Sequence, residues 1–183
     1  MPALSAVVSL LDDRHDRKIR SLWAELEAQI GVEGVAPHPI PHLTWHSAAA
    51  YDMAELPDLL TRFAARMAPF MVRTNALSFF PGLSPVLFLH VVRDPRLTMV
   101  HRSLGARIQP ISTNPSPAFL PENWVPHLTL AARGLDPEKA AAATRLLVSR
   151  TFQWEIPIGN LAVLTSASPD NPLSMRIDFS EIA

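Results

Sequence analysis

The chain has 183 residues, and 48% of them are hydrophobic, so it is long enough to form one domain with a substantial core. Its 16 lysines and arginines nearly balance 17 aspartates and glutamates, which excludes a strong electrostatic attraction to long nucleic acid or to an anionic membrane. The absence of cysteine excludes disulfides, thiol catalysis and cysteine-bound metals.

The first half of the chain predicts an alternation of strands and helices. Residues 4–11 form a short apolar run typical of a buried strand, without the basic start of a signal peptide or the length of a membrane span. Apolar residues at helical spacing follow and predict a helix that ends at Gly31. The remaining elements are a strand over HLTWHSAA, a helix over residues 55–68, and a strand over residues 70–80 that is closed by Pro81-Gly82.

The second half predicts the same order of elements. A strand over residues 86–92 precedes a helix from about Arg96 to Ile108 and a loop rich in proline and serine. Asp136 and Pro137 are typical of a helix start, and that helix is predicted to run to about Arg150. The remaining predicted strands cover HLTLAAR, residues 152–166 and residues 173–179.

Matching segments indicate that the two halves are copies of one unit. RSLWAEL matches RSLGARI, PHLTW matches PHLTL, and residues 70–80 match residues 154–164, all at intervals of 82 to 85 residues. We therefore predict one bilobal α+β domain over residues 1–183, with halves of about 1–82 and 83–183. Two mostly antiparallel sheets would lie in a pseudo-two-fold arrangement, with helices outside and a cleft between. Strands could cross from one lobe to the other.

The repeated tetrapeptides carry the candidate chemistry. Side chains of a strand alternate between its faces, so His42 shares a face with Thr44, and His127 shares a face with Thr129. The apolar neighbours Leu43, Trp45, Leu128 and Leu130 should be buried on the reverse faces. Two histidines on one cleft can serve as general acid and general base for a phosphodiester, and two hydroxyls can stabilise the charge on its oxygens. A strand start alone would explain one such motif, but not a pair within a repeat.

The paired motifs at residues 42–45 and 127–130 resemble the H-x-T/S-x motifs of the two-histidine phosphoesterase superfamily, which includes 2′-5′ RNA ligase-like proteins and cyclic phosphodiesterases. The segment NWVPHLTLAAR is similar to the second motif region of that family. The resemblance extends over essentially the whole chain and implies the bilobal fold, with His42, Thr44, His127 and Thr129 as the site. It also implies cleavage of 2′,3′-cyclic phosphates or related phosphodiesters, with 2′-5′ ligation as the reverse reaction in some members.

Three further residues are candidates for substrate binding. His46 would share the face of His42 if the strand stays regular, Arg133 would lie on the face of His127, and Trp124 would stack on a base. Phe119, Phe79 and Phe80 are weaker candidates for stacking, and core packing is favoured for Phe79. His46 can also be simply solvated, and Arg133 can be a solvated residue at a strand end.

Two other functions stay open. A binding module could capture a nucleotide or an RNA end in the same cleft without turnover, and a metal hydrolase could use His42, His46 and His127. Metal-ligand spacings, glycine-rich phosphate loops and a G-x-S-x-G motif are absent from the sequence, so we expect no metal and no cofactor. We also expect a small nucleotide or RNA terminus as the partner, no long nucleic-acid tract, no membrane, a monomeric state and a cytoplasmic location.

Overall fold

A computed structural model describes residues 5–32, 39–165 and 172–180, which form nine strands and four α-helices. The strands are β1 (Ser5–Leu10), β2 (His42–Tyr51), β3 (Phe70–Phe80), β4 (Val86–Val91), β5 (Ser112–Pro115), β6 (His127–Ala131), β7 (Glu155–Ile158), β8 (Asn160–Thr165) and β9 (Leu173–Asp178). The helices are α1 (Asp13–Ile30), α2 (Leu56–Ala64), α3 (Pro95–Ile108) and α4 (Pro137–Leu147).

Local signals in the sequence set the helix ends. Gly31 follows α1 with φ 67°, a left-handed conformation that suits glycine, and its N–H donates to the Glu27 carbonyl over 2.9 Å. Asp136 precedes α4, and its side chain accepts a 2.7 Å hydrogen bond from the Lys139 backbone N–H, as an N-cap does. Both predicted boundaries are confirmed, although α4 ends at Leu147 and not near Arg150.

The sheets exchange strands between the sequence halves. One sheet has the order β5-β2-β1-β8-β9, and the other has the order β6-β4-β3-β7. Strand β3 of the first half pairs with β4 of the second, while β8 of the second half pairs with β1 of the first. All of these pairings are antiparallel, so the predicted α+β architecture of two antiparallel sheets is confirmed.

The exchange also explains two differences from the predicted elements. Residues 152–166 were expected to form one strand, but the chain leaves one sheet and enters the other at Gly159, which divides the segment into β7 and β8. Strand β5 lies inside the predicted proline-rich loop, where it pairs with the end of β2. A short edge strand with two turn-forming residues and a proline gives little signal in the sequence.

Each sheet carries a pair of helices on its outer face. Helix α1 contacts β6 and α4, and helix α3 contacts β2 and α2, so each motif strand is covered by a helix from the other half of the sequence. Leucines and isoleucines of these helices join the buried face of both sheets in one continuous core. Among the described residues, none of the helices has the combined length and apolar character that crossing a membrane requires.

Candidate active site

Each motif begins with a proline that fixes the backbone before the histidine. Proline locks its own φ and restricts the preceding residue to extended conformations, so the three residues form a stiff segment. The Nδ1–H of His42 donates to the Ile40 carbonyl over 2.6 Å, and the Nδ1–H of His127 donates to the Val125 carbonyl over 2.7 Å. A carbonyl can only accept, so in both rings Nδ1 carries a hydrogen and Nε2 is the nitrogen that gains or loses a proton.

The register of the strands gives the face of each motif residue. His42 lies opposite Leu10 and Thr44 lies opposite Val8, on the face of a small apolar cluster of β1 and β8. His127 lies opposite His90, and Thr129 lies opposite Phe88. The alternate residues that were predicted to face the core are buried there, as expected: Leu43, Trp45, Leu128 and Leu130.

A β-bulge directly follows the threonine in both motifs. In β2, Thr44 and His46 pair with consecutive residues of β1, so Trp45 is the extra residue. In β6, Thr129 and Ala131 pair with consecutive residues of β4, so Leu130 is the extra residue. A bulge interrupts the ladder of backbone hydrogen bonds and bends the strand. The two halves therefore distort the same position of the motif in the same way.

Indole N–H groups bond to the threonine carbonyls at these bulges. Trp124 Nε1–H donates to the Thr44 carbonyl over 3.0 Å, and Trp23 Nε1–H donates to the Thr129 carbonyl, also over 3.0 Å. Buried carbonyls need a partner where a ladder is interrupted, and a tryptophan supplies one together with a large apolar surface. Each motif is thus held by an indole from outside its own strand.

The bond from Trp124 also joins the two motifs. Trp124 lies three residues before His127, and its side chain contacts the backbone of Thr44, while strands β2 and β6 contact each other directly. The Trp124 ring stacks on His101 with ring centres 3.8 Å apart, and on Trp45 at 5.7 Å. The ring is 2% exposed, so the prediction that it stacks on a base is wrong: it is a core residue between the motif strands.

Two phenylalanines surround His127. The ring centres of Phe80 and Phe88 lie 5.0 and 5.1 Å from the imidazole. Burial is the main cause that lowers the pKa of His127; the bond to the Val125 carbonyl acts in the opposite direction, and the nearby His90 lowers the pKa further. His127 therefore loses its proton at a lower pH than a free histidine.

The adjacent Phe79 packs on the core, as the sequence favoured.

The lowered pKa of His127 predicts the pH dependence of turnover. One limb of the kcat/KM profile should lie below pH 6.5, the ordinary value for histidine, because that profile reports the pKa values of the free enzyme. His90→Asn should move this limb to higher pH, since a positive charge that repels protonated His127 is removed. Initial rates between pH 4.5 and 9 test both statements, and a profile with both limbs above pH 6.5 contradicts them.

His46 faces the core and not the cleft. The bulge at Trp45 reverses the alternation, so His46 lies opposite Val7, whose side chain is in the main core. The imidazole is 5% exposed, its Nδ1 is 2.9 Å from the Tyr51 hydroxyl, and burial lowers its pKa to about 4. The expected position beside His42 is therefore wrong, because it assumed a regular strand.

The buried histidines predict a loss of stability in acid. His46 and His101 each have a pKa of about 4 in the folded chain, mainly because of burial, whereas an unfolded histidine titrates near 6.5. The unfolded chain thus binds more protons between these values, and the free energy of unfolding falls as pH falls from about 6.5 to 4. We expect roughly 1–2 kcal/mol per histidine, with allowance for solvent screening.

Urea unfolding at pH 7 and pH 4.5 measures this loss. The matched variant is His101→Phe, which keeps a ring stacked on Trp124 but cannot bind a proton. Its free energy of unfolding should fall less between the two pH values than that of the wild type. An equal fall in both proteins would show that His101 is not responsible.

Arg133 is exposed and lies two residues beyond the end of β6. A regular strand would place Arg133 on the face of His127, but the bulge at Leu130 breaks the regular alternation before Arg133. A contact with substrate stays a prediction for this residue.

The structure does not bring His42, His46 and His127 together as a metal site. Within residues 5–32, 39–165 and 172–180, no group of three potential ligands occurs.

The sequence did not indicate His90 as a site residue. It is the cross-strand partner of His127 on the same face, and its Nδ1–H donates to Asn75 Oδ1 over 2.8 Å. Asn75 is itself the extra residue of a bulge in β3. The corresponding residue in the first half, opposite His42, is Leu10. Only the pairing of β4 with β6 reveals this position, and no local pattern predicts it.

Two solved structures of bacterial proteins have the same fold as this chain and match it over nearly its full length. The TM-score is 0.67 for the Thermus thermophilus protein TT0787, which is 19% identical, with 98% of this chain and 100% of that one covered. Escherichia coli LigT, solved in complex with 3′-AMP, is 14% identical and has a TM-score of 0.60. The match covers 99% of this chain and 100% of LigT. A search of curated proteins finds no sequence that matches this chain.

Each of the two antiparallel sheets carries an H-x-T strand, as the resemblance to the two-histidine phosphoesterases implies. A sequence profile of the 2′-5′ RNA ligase superfamily matches residues 11–170, and the chain belongs to that superfamily. This membership supports an activity of the phosphoesterase or RNA-ligase type.

Proposed function

We propose that the protein is a metal-independent phosphodiesterase that hydrolyses 2′,3′-cyclic phosphates, or related phosphodiester bonds, of nucleotides or RNA ends. The same site would also support 2′-5′ ligation, in which a ribose 5′-hydroxyl takes the place of water, forms the new P–O bond and displaces the 3′ oxygen of the cyclic phosphate. The observation that carries the proposal is the matched pair of imidazoles, each with Nδ1–H bonded to the carbonyl two residues earlier. This leaves Nε2 as the proton-exchanging atom in both motifs.

The reaction needs one proton removed and one proton supplied. Water attacks phosphorus while Nε2 of one histidine takes its proton, and Nε2 of the other gives a proton to the leaving ribose oxygen. The P–O bond to that oxygen breaks and a P–O bond to water forms, which gives a nucleoside monophosphate. The hydroxyls of Thr44 and Thr129 donate to the other phosphate oxygens as negative charge develops there.

Comparison with LigT supports a small nucleotide as the ligand. LigT has been crystallised with 3′-AMP, with ATP and with NADP+, and it has the same fold as this chain. The near-zero net charge of this chain favours a short ligand over a long nucleic acid. We further propose a cytoplasmic monomer, in keeping with a nucleotide or RNA terminus as substrate.

The deciding assay offers a nucleoside 2′,3′-cyclic phosphate and a linear 2′-5′ dinucleotide, each with excess EDTA. We expect turnover of the cyclic phosphate to persist with the chelator, and the product, a 2′- or a 3′-phosphate, identifies the bond that breaks. Binding without turnover would favour the binding module. Loss of activity with EDTA, restored by a divalent cation, would favour the metal hydrolase.

A further inference from the structure

A basic pocket lies at the end of the sheet that carries His127. It has a volume of about 850 Å³, within the range of small-molecule binding sites. The residues that give the pocket its chemistry are Arg14, Lys18, Arg73, Asn75, Trp154 and Glu155. Neither the sequence motifs nor the proposed reaction uses any of these residues.

The pocket reaches the face of the sheet that carries His127 through Arg73 and Asn75. Thr74 and Val91 pair across β3 and β4 and are both buried on the core side, so their neighbours Arg73 and His90 point to the opposite side. His90 lies opposite His127 on that side, and its Nδ1–H bonds to Asn75 in the wall of the pocket. Ala76, the residue after Asn75, lies opposite His90 on β3, so the part of the pocket wall at Asn75 is two strand spacings, about 10 Å, from His127.

The side chains in this pocket match an anionic ligand that carries a ring. Lys18 Nζ lies 4.7 Å from the centre of the Trp154 ring, which fixes an ammonium group beside an aromatic surface. Arg14 and Arg73 are both exposed and line the same pocket. Glu155, which pairs with Arg73 across β3 and β7, is the carboxylate among the lining residues, so the positive charges exceed the negative.

We propose that this pocket is a second phosphate subsite. Resting on the function proposed above, it takes the 5′-phosphate of the nucleoside whose cyclic phosphate lies at His42 and His127. A pocket wall about 10 Å from His127 is within the reach of one nucleotide. The preferred substrates therefore carry a phosphate at the 5′ position, either as a monoester on a mononucleotide or as the diester that links it to an RNA chain.

Equilibrium binding of matched ligands tests the subsite without requiring turnover. Calorimetry compares adenosine 2′-phosphate, adenosine 2′,5′-bisphosphate, and a diadenosine with a 3′-5′ diester and a terminal 2′-phosphate. The wild type should bind at least one of the last two roughly tenfold more tightly than the monophosphate, the value of one charge-assisted hydrogen bond. Tighter binding of the bisphosphate alone would identify mononucleotides as the preferred substrates. Tighter binding of the diester would identify RNA chain ends as the preferred substrates. Equal affinity for all three overturns the proposal.

Variants assign the preference to the pocket. Arg73→Ala and Lys18→Ala should each reduce the ratio of the bisphosphate and monophosphate affinities severalfold, whereas Glu155→Gln should increase it, because a repelling carboxylate is removed. The control is Arg66→Ala, an exposed arginine in a separate cavity between α2 and α3, which should keep the wild-type ratio. A ratio that falls equally in Arg66→Ala would mean that overall charge, and not this pocket, causes the preference.

The same binding data separate this proposal from the proposed function. If the cyclic phosphate is not hydrolysed but the bisphosphate is still preferred in an Arg73-dependent way, the subsite stands and the reaction is wrong. If turnover occurs without any preference for a 5′-phosphate, the reaction stands and the subsite is wrong.

Discussion

His127→Ala is expected to lower kcat for a 2′,3′-cyclic phosphate by roughly 10²–10⁴-fold, the usual contribution of a positioned acid or base. His42→Ala should cost a similar amount, because both rings present Nε2 through the same backbone bond. The double variant should lose much less than the product of the two single effects, since two groups that act in one transition state are not additive. Single-turnover rates at pH 7 measure all three variants.

The matched control for these variants is His46→Phe. This histidine lies in the same strand as His42 but faces the core, and phenylalanine fills a similar volume there. Its kcat should stay within a few-fold of the wild type. Unchanged turnover in either His42→Ala or His127→Ala, with thermal unfolding as in the wild type, would falsify the two-histidine mechanism. A large loss of kcat in His46→Phe would contradict the conclusion that the bulge turns the His46 side chain toward the core.

Trp124→Ala should lower the free energy of unfolding by about 3–5 kcal/mol, because a large core ring is removed and the cavity cannot fully close. For a domain of this size the melting temperature should fall by roughly 6–20 °C. Trp124→Phe keeps most of the buried area but removes the N–H that bonds the Thr44 carbonyl. That change should cost about 1–3 kcal/mol, because a buried acceptor loses its partner.

Trp124→Phe also separates stability from positioning. If the indole holds the bulge at Thr44 in place, kcat should fall about tenfold at a temperature where the variant is still folded. Trp23→Phe is the matched variant, since its indole bonds the Thr129 carbonyl from α1. It should show the same type of defect with a smaller loss of stability, because Trp23 is only partly buried. Wild-type stability and kcat in Trp124→Phe would contradict this role of the indole.

The elements that could be predicted are those with strong local signals. Hydrophobic periodicity, Gly31 after α1 and the Asp136-Pro137 start of α4 each act over a few residues, and the structure confirms them. The repeated order of elements could also be predicted, because the matching segments of the two halves recur at a nearly constant interval. From that order the two-sheet architecture follows.

Features that depend on strand pairing could not be predicted. The bulges at Trp45 and Leu130 arise where β2 pairs with β1 and β6 pairs with β4, and they turn His46 inward. The same is true of His90, whose position beside His127 is set by register alone. Trp124 lies in a loop in the sequence, yet tertiary packing buries it between the two motif strands. A single sequence carries no pattern for any of these contacts.

The central claim is that His42 and His127 act on one phosphate from opposite sides. A crystal structure of the protein with a bound nucleoside 2′-phosphate tests it most directly. We expect Nε2 of both rings about 3 Å from oxygens of the same phosphate, which places the two nitrogens roughly 5–8 Å apart, with the hydroxyls of Thr44 and Thr129 on the remaining oxygens. A phosphate bound to only one motif, or imidazoles more than roughly 12 Å apart in the complex, would contradict the claim.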